Sequence, residues 1–303
     1  MSTNRPGCSS PRTWPSSSRA VRDPSPARCD EPLPPRRTLP SLAVLVRERE
    51  HRDKDRRRSV TQAERRHEMT EGSLSPGRAI DLLAEADRAL VATMARMTEA
   101  DLRAPSLCEG WTRAHVLAHL ARNADALQHL VQWAASGRQT PAYVSQEQRD
   151  RDIEESAQQS LPRLRADVTS ASNAFRSRVE ALRGRTDLHP VVAGSNRPMP
   201  GDRVPWARLR EVTYHHVDLD LGFTFAQAPP EVVRAGLVEA TQRLGPRGTP
   251  PMTLIGTDGR HWHLNGGGTE VHGKPADLLL WLSRGVEHNL TSHHPLPTLP
   301  AWG

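Results

Sequence analysis

Two stretches decide the fold: Gly110-Trp111-Thr112-Arg113-Ala114-His115-Val116-Leu117-Ala118-His119-Leu120-Ala121-Arg122-Asn123 and Arg210-Glu211-Val212-Thr213-Tyr214-His215-His216-Val217-Asp218-Leu219. Both read as helix. Glu211 and His215 are four positions apart, so they lie one turn apart on the same helix face and can point at one ion. A histidine from the earlier helix would complete a His/Glu/His set. Such a set leaves positions for water or substrate, which a catalytic divalent metal site requires.

Spacing separates the neighbouring histidines. At 100° per residue Glu211 and His215 differ by about 40° in azimuth, and Glu211 and His216 by about 140°. His216 falls nearer the Leu209/Val212/Leu219 stripe and reads as a packed histidine. In the earlier helix the apolar stripe Val116, Leu120, Leu127, Leu130, Val131 centres roughly 80° from His119 and roughly 120° from His115. His119 is therefore the expected ligand and His115 the second choice.

Working outward, Ser75-Pro76 reads as a helix start, with Ser as cap and Pro in the first turn. Ile80, Leu83, Leu90, Met94 and Met97 follow at helical spacing. A loop through Pro105 leads to the second helix, capped by Thr112 and running to Gly137. Gln146–Arg183 is long, polar and helical in pattern, with Pro162 starting a new helix or kinking it. After a Gly/Pro-rich connection over 184–204, Pro205 opens a helix expected to stop at Gly222. Four such helices with one active face make a bundle, where metal sites are built from facing helices. Beyond Gly222 the pattern changes. Pro230–Leu244 reads as a short helix, and Met252–Gly256 and Arg260–Leu264 as a hairpin joined by Thr257-Asp258-Gly259. Glu270–Gly273 reads as a third strand and Pro275–Arg284 as a closing helix.

The fold class expected is mainly α: a four-helix bundle over 73–225, then a small α+β domain over 226–287. Residues 1–72 read as a disordered tail, being rich in Pro, Ser and Arg, and 288–303 as a second, frayed one. Met69 would serve as a start for the ordered part.

The formal charge of +6 suggests nucleic acid until it is located. Residues 1–72 hold 16 Lys+Arg against 10 Asp+Glu, leaving 25 of each from residue 73 on. A neutral body gives little support to phosphate-driven binding, and no nucleic-acid partner is expected. No run approaches the roughly eighteen apolar residues of a membrane span. Cys8, Cys29 and Cys108 form no pairing pattern, which fits a reducing cytoplasm.

The stretch Gly110–Asp125 and the stretch Arg210–Leu219 together resemble the mycothiol-dependent maleylpyruvate isomerase family, one of the DinB-like metal-binding bundles. The resemblance spans about 72–285. It implies a divalent metal, usually zinc, held by His119, Glu211 and His215, and mycothiol as the thiol cofactor. It also implies a functional arginine near the end of the C-terminal domain, for which Arg284 in Trp281-Leu282-Ser283-Arg284-Gly285 is the candidate. The implied reaction takes a small-molecule substrate. A thiolate adds to a cis double bond, the resulting single bond rotates, and elimination gives the trans isomer. A mycothiol S-transferase on the same fold, or a metal-binding protein without turnover, are the alternatives. Arg284 would pair with a substrate carboxylate, and Asn123 would orient the site from one turn beyond His119. Trp111 and Trp206 read as core or cap-packing aromatics, and Cys108 as a buried inert thiol.

Overall fold

The computed structural model describes residues 74–194, 197–300 and 302. The tail expected over 1–72 lies outside the described residues. Ser75 accepts a hydrogen bond from the Arg78 amide and starts α1 (Pro76–Arg96) with Pro in its first turn. A short helix follows, α2 (Glu99–Arg103). It is fixed by a capping box in which Thr98 and Asp101 satisfy each other's backbone N–H groups. Next come α3 (Arg113–Ser136), closed by Gly137 in the left-handed conformation, α4 (Gln146–Ala157) and α5 (Leu161–Val179). Pro162 thus starts a new helix. A two-stranded ribbon, β1 (Val191–Val192) with β2 (Pro198–Met199), precedes α6 (Val204–Asp218). That helix stops short of Gly222, because Asp220 already takes a positive φ of 50°.

Helices α1, α3, α5 and α6 form the bundle: α3 packs on α5 and α6, α1 on α6 and α5, and α4 lies against α3. Its core is lined by Leu82, Leu83, Leu90, Leu117, Leu120, Leu130, Leu164 and Phe175. Arg113, at the start of α3, donates through Nε and Nη2 to the carbonyls of Leu219 and Asp220, so the two helices named at the outset are tied end to end.

Beyond the bundle, α7 (Pro230–Leu244) and α8 (Pro275–Arg284) pack on a sheet of β3 (Met252–Gly256), β4 (His261–Leu264) and β5 (Thr269–Gly273). The sheet order is β4-β3-β5, with β3 antiparallel to β4 and parallel to β5. Burial alternates along the strands, placing Met252, Leu254, Trp262, Leu264 and Val271 in a second core with Leu237, Leu278 and Trp281. The short link from β4 to β5 must carry the chain past the start of β3. Gly266, Gly267 and Gly268 have φ of 91°, 86° and 159°, and a Cβ on Gly268 would lie 2.2 Å from the Pro251 carbonyl oxygen.

Helix α6 serves both cores: Trp206, Leu209 and Val212 belong to the first, Tyr214 and Val217 to the second. A Cβ on Gly236 of α7 would lie 2.8 Å from the Tyr214 hydroxyl, so these helices approach closely. The last segment is not frayed as expected. Thr291 exchanges both backbone hydrogen bonds with His272, Leu290, Leu296 and Leu299 pack on the second core, and Trp302 stacks on Tyr214. Apolar side chains spaced among the prolines anchor it without regular structure. Among the described residues no helix is long and apolar enough to cross a membrane.

Candidate metal centre

Helix α3 presents His119 from its second turn, and α6 presents Glu211 and His215 one turn apart. Arg208 holds the two helices in register. Fully buried, it donates to the Leu120 carbonyl at 2.9 Å, to Asn123 Oδ1 at 2.8 Å and to Ser172 Oγ at 3.1 Å. Glu211 Oε2 then lies 3.0 Å from His119 Nε2 and 3.5 Å from His215 Nε2, and the two imidazoles meet edge to face. One donor atom from each of the three residues falls within 4.8 Å of the others. Trp111 covers the group, its ring centroid 5.5 Å from that of His119 and 6.5 Å from that of His215.

Each member has an outer partner. His215 Nδ1 donates to Asp218 Oδ2 at 2.8 Å, and Asp218 is fully buried. Arg284 holds that carboxylate by both oxygens, with Nη2 2.7 Å from Oδ2. The Cys108 thiol donates to Asp218 Oδ2 at 3.3 Å and lies 4.0 Å from His215 Nδ1. Arg210 Nη2 donates to Glu211 Oε1 at 2.7 Å. Arg149 Nη2 donates to His119 Nδ1 at 3.2 Å, and a guanidinium cannot accept, so His119 carries its proton on Nε2 and gives it to Glu211.

Charge follows from these contacts. Burial pushes His119 down to about 4, reinforced by His215 and only partly opposed by Glu211. Burial would also lower His215, but Asp218, Cys108 and Glu211 outweigh it and hold the imidazole well above its ordinary value. Glu211 is raised by burial, yet hydrogen bonds from both histidines and the charge of Arg210 keep it well below the usual carboxylate range. The group is thus a neutral His119, an ionised Glu211 and a protonated His215: two imidazoles with ring centroids 4.5 Å apart, set to opposite charge states by their neighbours.

The structure brings His119, Glu211 and His215 together. His115 is engaged elsewhere, 3.0 Å from Glu154, and His216 is a packed residue bonded to Thr93 and stacked on Phe223. The Asn123 side chain, expected to orient the site, accepts from Arg208 through Oδ1. Arg284, expected to meet a substrate carboxylate, has its fork on Asp218. Trp111, expected as packing, lines the site, whereas Trp206 is a buried packing residue bonded to Glu239. Cys108 is only half-buried and faces His215 and Asp218. Sequence reasoning missed Asp218, although His215-x-x-Asp218 puts a carboxylate on the histidine's own face. Arg149 and Glu239 carry no sequence signal, since only the fold brings them here.

Residues 83–220 match the family model described as the mycothiol maleylpyruvate isomerase N-terminal domain. The match runs from within α1 to just past the end of α6, so it covers most of the bundle. Two solved structures of a mycothiol-dependent maleylpyruvate isomerase, one of them a histidine-to-alanine mutant, are similar to this chain over most of its length. Each is 28% identical, covers 76% of this chain and 98% of its own, and superposes with TM-scores of 0.68 and, for the mutant, 0.67. No curated protein matches the sequence.

The donor chemistry fits a divalent ion. His215 donates at Nδ1 to a buried carboxylate, which turns Nε2 toward Glu211 as a ligating imidazole requires. His119 fits once Arg149 leaves, because an imidazole ligating through Nε2 carries its proton on Nδ1, where the guanidinium now donates.

Proposed function

We propose that this chain is a metal- and mycothiol-dependent cis-trans isomerase of the maleylpyruvate isomerase type. The observation that carries the reading is the convergence of His119 and His215, from two helices, on one oxygen of Glu211. His119, Glu211 and His215 would hold the ion, and His₂Glu is a zinc donor set with room for further ligands. When bound, the ion supplies Lewis acidity toward a thiol, and mycothiol supplies the sulfur nucleophile.

The chain's own residues do the rest. Asp218 accepts the Nδ1 proton of His215 and fixes its tautomer, and Arg284 keeps Asp218 ionised. Arg149, on leaving His119, keeps Asp150 on Nη1 and can turn Nη2 to an anionic substrate group, the role the resemblance implied for Arg284. It also lines a cavity of about 410 Å³ with Tyr143, Gln148 and His129. Trp111 covers the imidazoles and excludes water from one side. In this reading residues 73–225 carry the ion and 226–287 brace it, in a reducing cytoplasm.

The test is metal content of the wild type beside Glu211→Ala, with maleylpyruvate turnover measured with and without mycothiol. The wild type should hold one equivalent and turn over only with the thiol, which is not consumed; Glu211→Ala should lose both. Full zinc in Glu211→Ala refutes the ligand set, and stoichiometric loss of mycothiol makes the protein a transferase.

A further inference from the structure

The two oxygens of Glu211 are unequal. Oε2 faces both imidazoles, while Oε1 accepts from Arg210. Adjacent residues on a helix do not face each other, so this contact needs an outside cause. Glu239 on α7 supplies it: its Oε1 takes Arg210 Nη1, and its Oε2 takes Trp206 Nε1 at 2.7 Å. Trp206 is buried, so the Glu239 carboxylate is held from both sides and draws the guanidinium across the helix surface onto Glu211.

We propose that Glu239 is a positioning residue that, through Arg210, restricts Glu211 to a single ligating oxygen. The inference rests on the metal reading above. A carboxylate can bind an ion through one or both oxygens. With Oε1 taken by a guanidinium, only Oε2 is offered, and a coordination position stays open for the thiol or substrate. Arg210 also offsets part of the ligand's charge, keeping the ion a stronger Lewis acid. A plain salt bridge between α6 and α7 would alter melting temperature and leave the coordination sphere alone.

Cobalt(II) separates these cases, because its visible band is intense when four-coordinate and weak at higher coordination number. The full-length protein is loaded with Co²⁺, as are the charge-balanced double variant Arg210→Met/Glu239→Gln and the milder Glu239→Gln. Freed of Arg210, Glu211 should bind through both oxygens. The band should weaken in the double variant and less so in Glu239→Gln. A band of wild-type intensity in both variants overturns the proposal, whatever the melting temperatures do. A wild type that takes up no Co²⁺ overturns the metal reading and this inference with it.

Discussion

The two cores are built on opposite terms. The bundle interior encloses Asp87, Asn123, Ser172, Arg208 and His119, whereas the core under the sheet is apolar, with Thr249 and Ser283 as its buried polar side chains among the described residues. Polar groups inside the bundle carry the candidate chemistry and need partners to be tolerated there. The apolar core carries none of the candidate ligands, yet Glu239 and Arg284 project from its helices α7 and α8 onto the surroundings of the site. One region supplies donors and the other holds them still.

The contrast breaks most sharply where a buried charge loses its partners. Arg208→Ala should cost about 3–5 kcal/mol, since the Leu120 carbonyl, Asn123 and Ser172 lose their buried donor and Asp87 loses one of its two nearby positive charges. Metal affinity should fall with stability, as α3 and α6 lose register. Leu254→Ala, in the middle of β3, should cost about 2–5 kcal/mol through the cavity it leaves. Folded Leu254→Ala protein should still take up a full equivalent of metal. Denaturant melts paired with metal analysis check both; a metal deficit in Leu254→Ala would erase the division of labour.

Asp218→Asn sharpens the comparison from the outer shell. It preserves shape but gives His215 a poorer acceptor and strands Arg284, and metal affinity should drop by about 10–100-fold in a chelator competition. The smallest effect belongs to His216. Burial first, and then Arg96, push its imidazole down to about 4 from an ordinary 6.5. Between those values the unfolded chain binds a proton that the folded one refuses, so stability should fall as pH drops from about 6.5 toward 4. His216→Asn should flatten that slope in urea midpoints taken across the interval.

Helices were legible where local chemistry marks their ends. Ser75-Pro76, Thr112 with Gly137, Pro230 and Pro275 each impose a boundary within one turn of chain, and the structure keeps them. The same grammar overran at Gly222, because Asp220 adopts the left-handed turn that a glycine was expected to supply. The box at Thr98 and Asp101 was equally local and was passed over, being too short to show a stripe. At the site, spacing along one helix brought Glu211 and His215 together on paper, and azimuth favoured His119. Arg149 and Glu239 were invisible for a different reason. Their relation to the centre is one of tertiary proximity alone, and a single sequence has no periodicity that encodes it.

The guanidinium that neutralises Asp218 arrives on α8, the last helix among the described residues. A polypeptide shortened before that point would keep all three candidate ligand residues around a sealed-in acid left with His215 and the Cys108 thiol as its partners. Trimming at the C-terminal end would then act as an off switch, silencing the candidate centre from a segment that supplies none of the three converging residues.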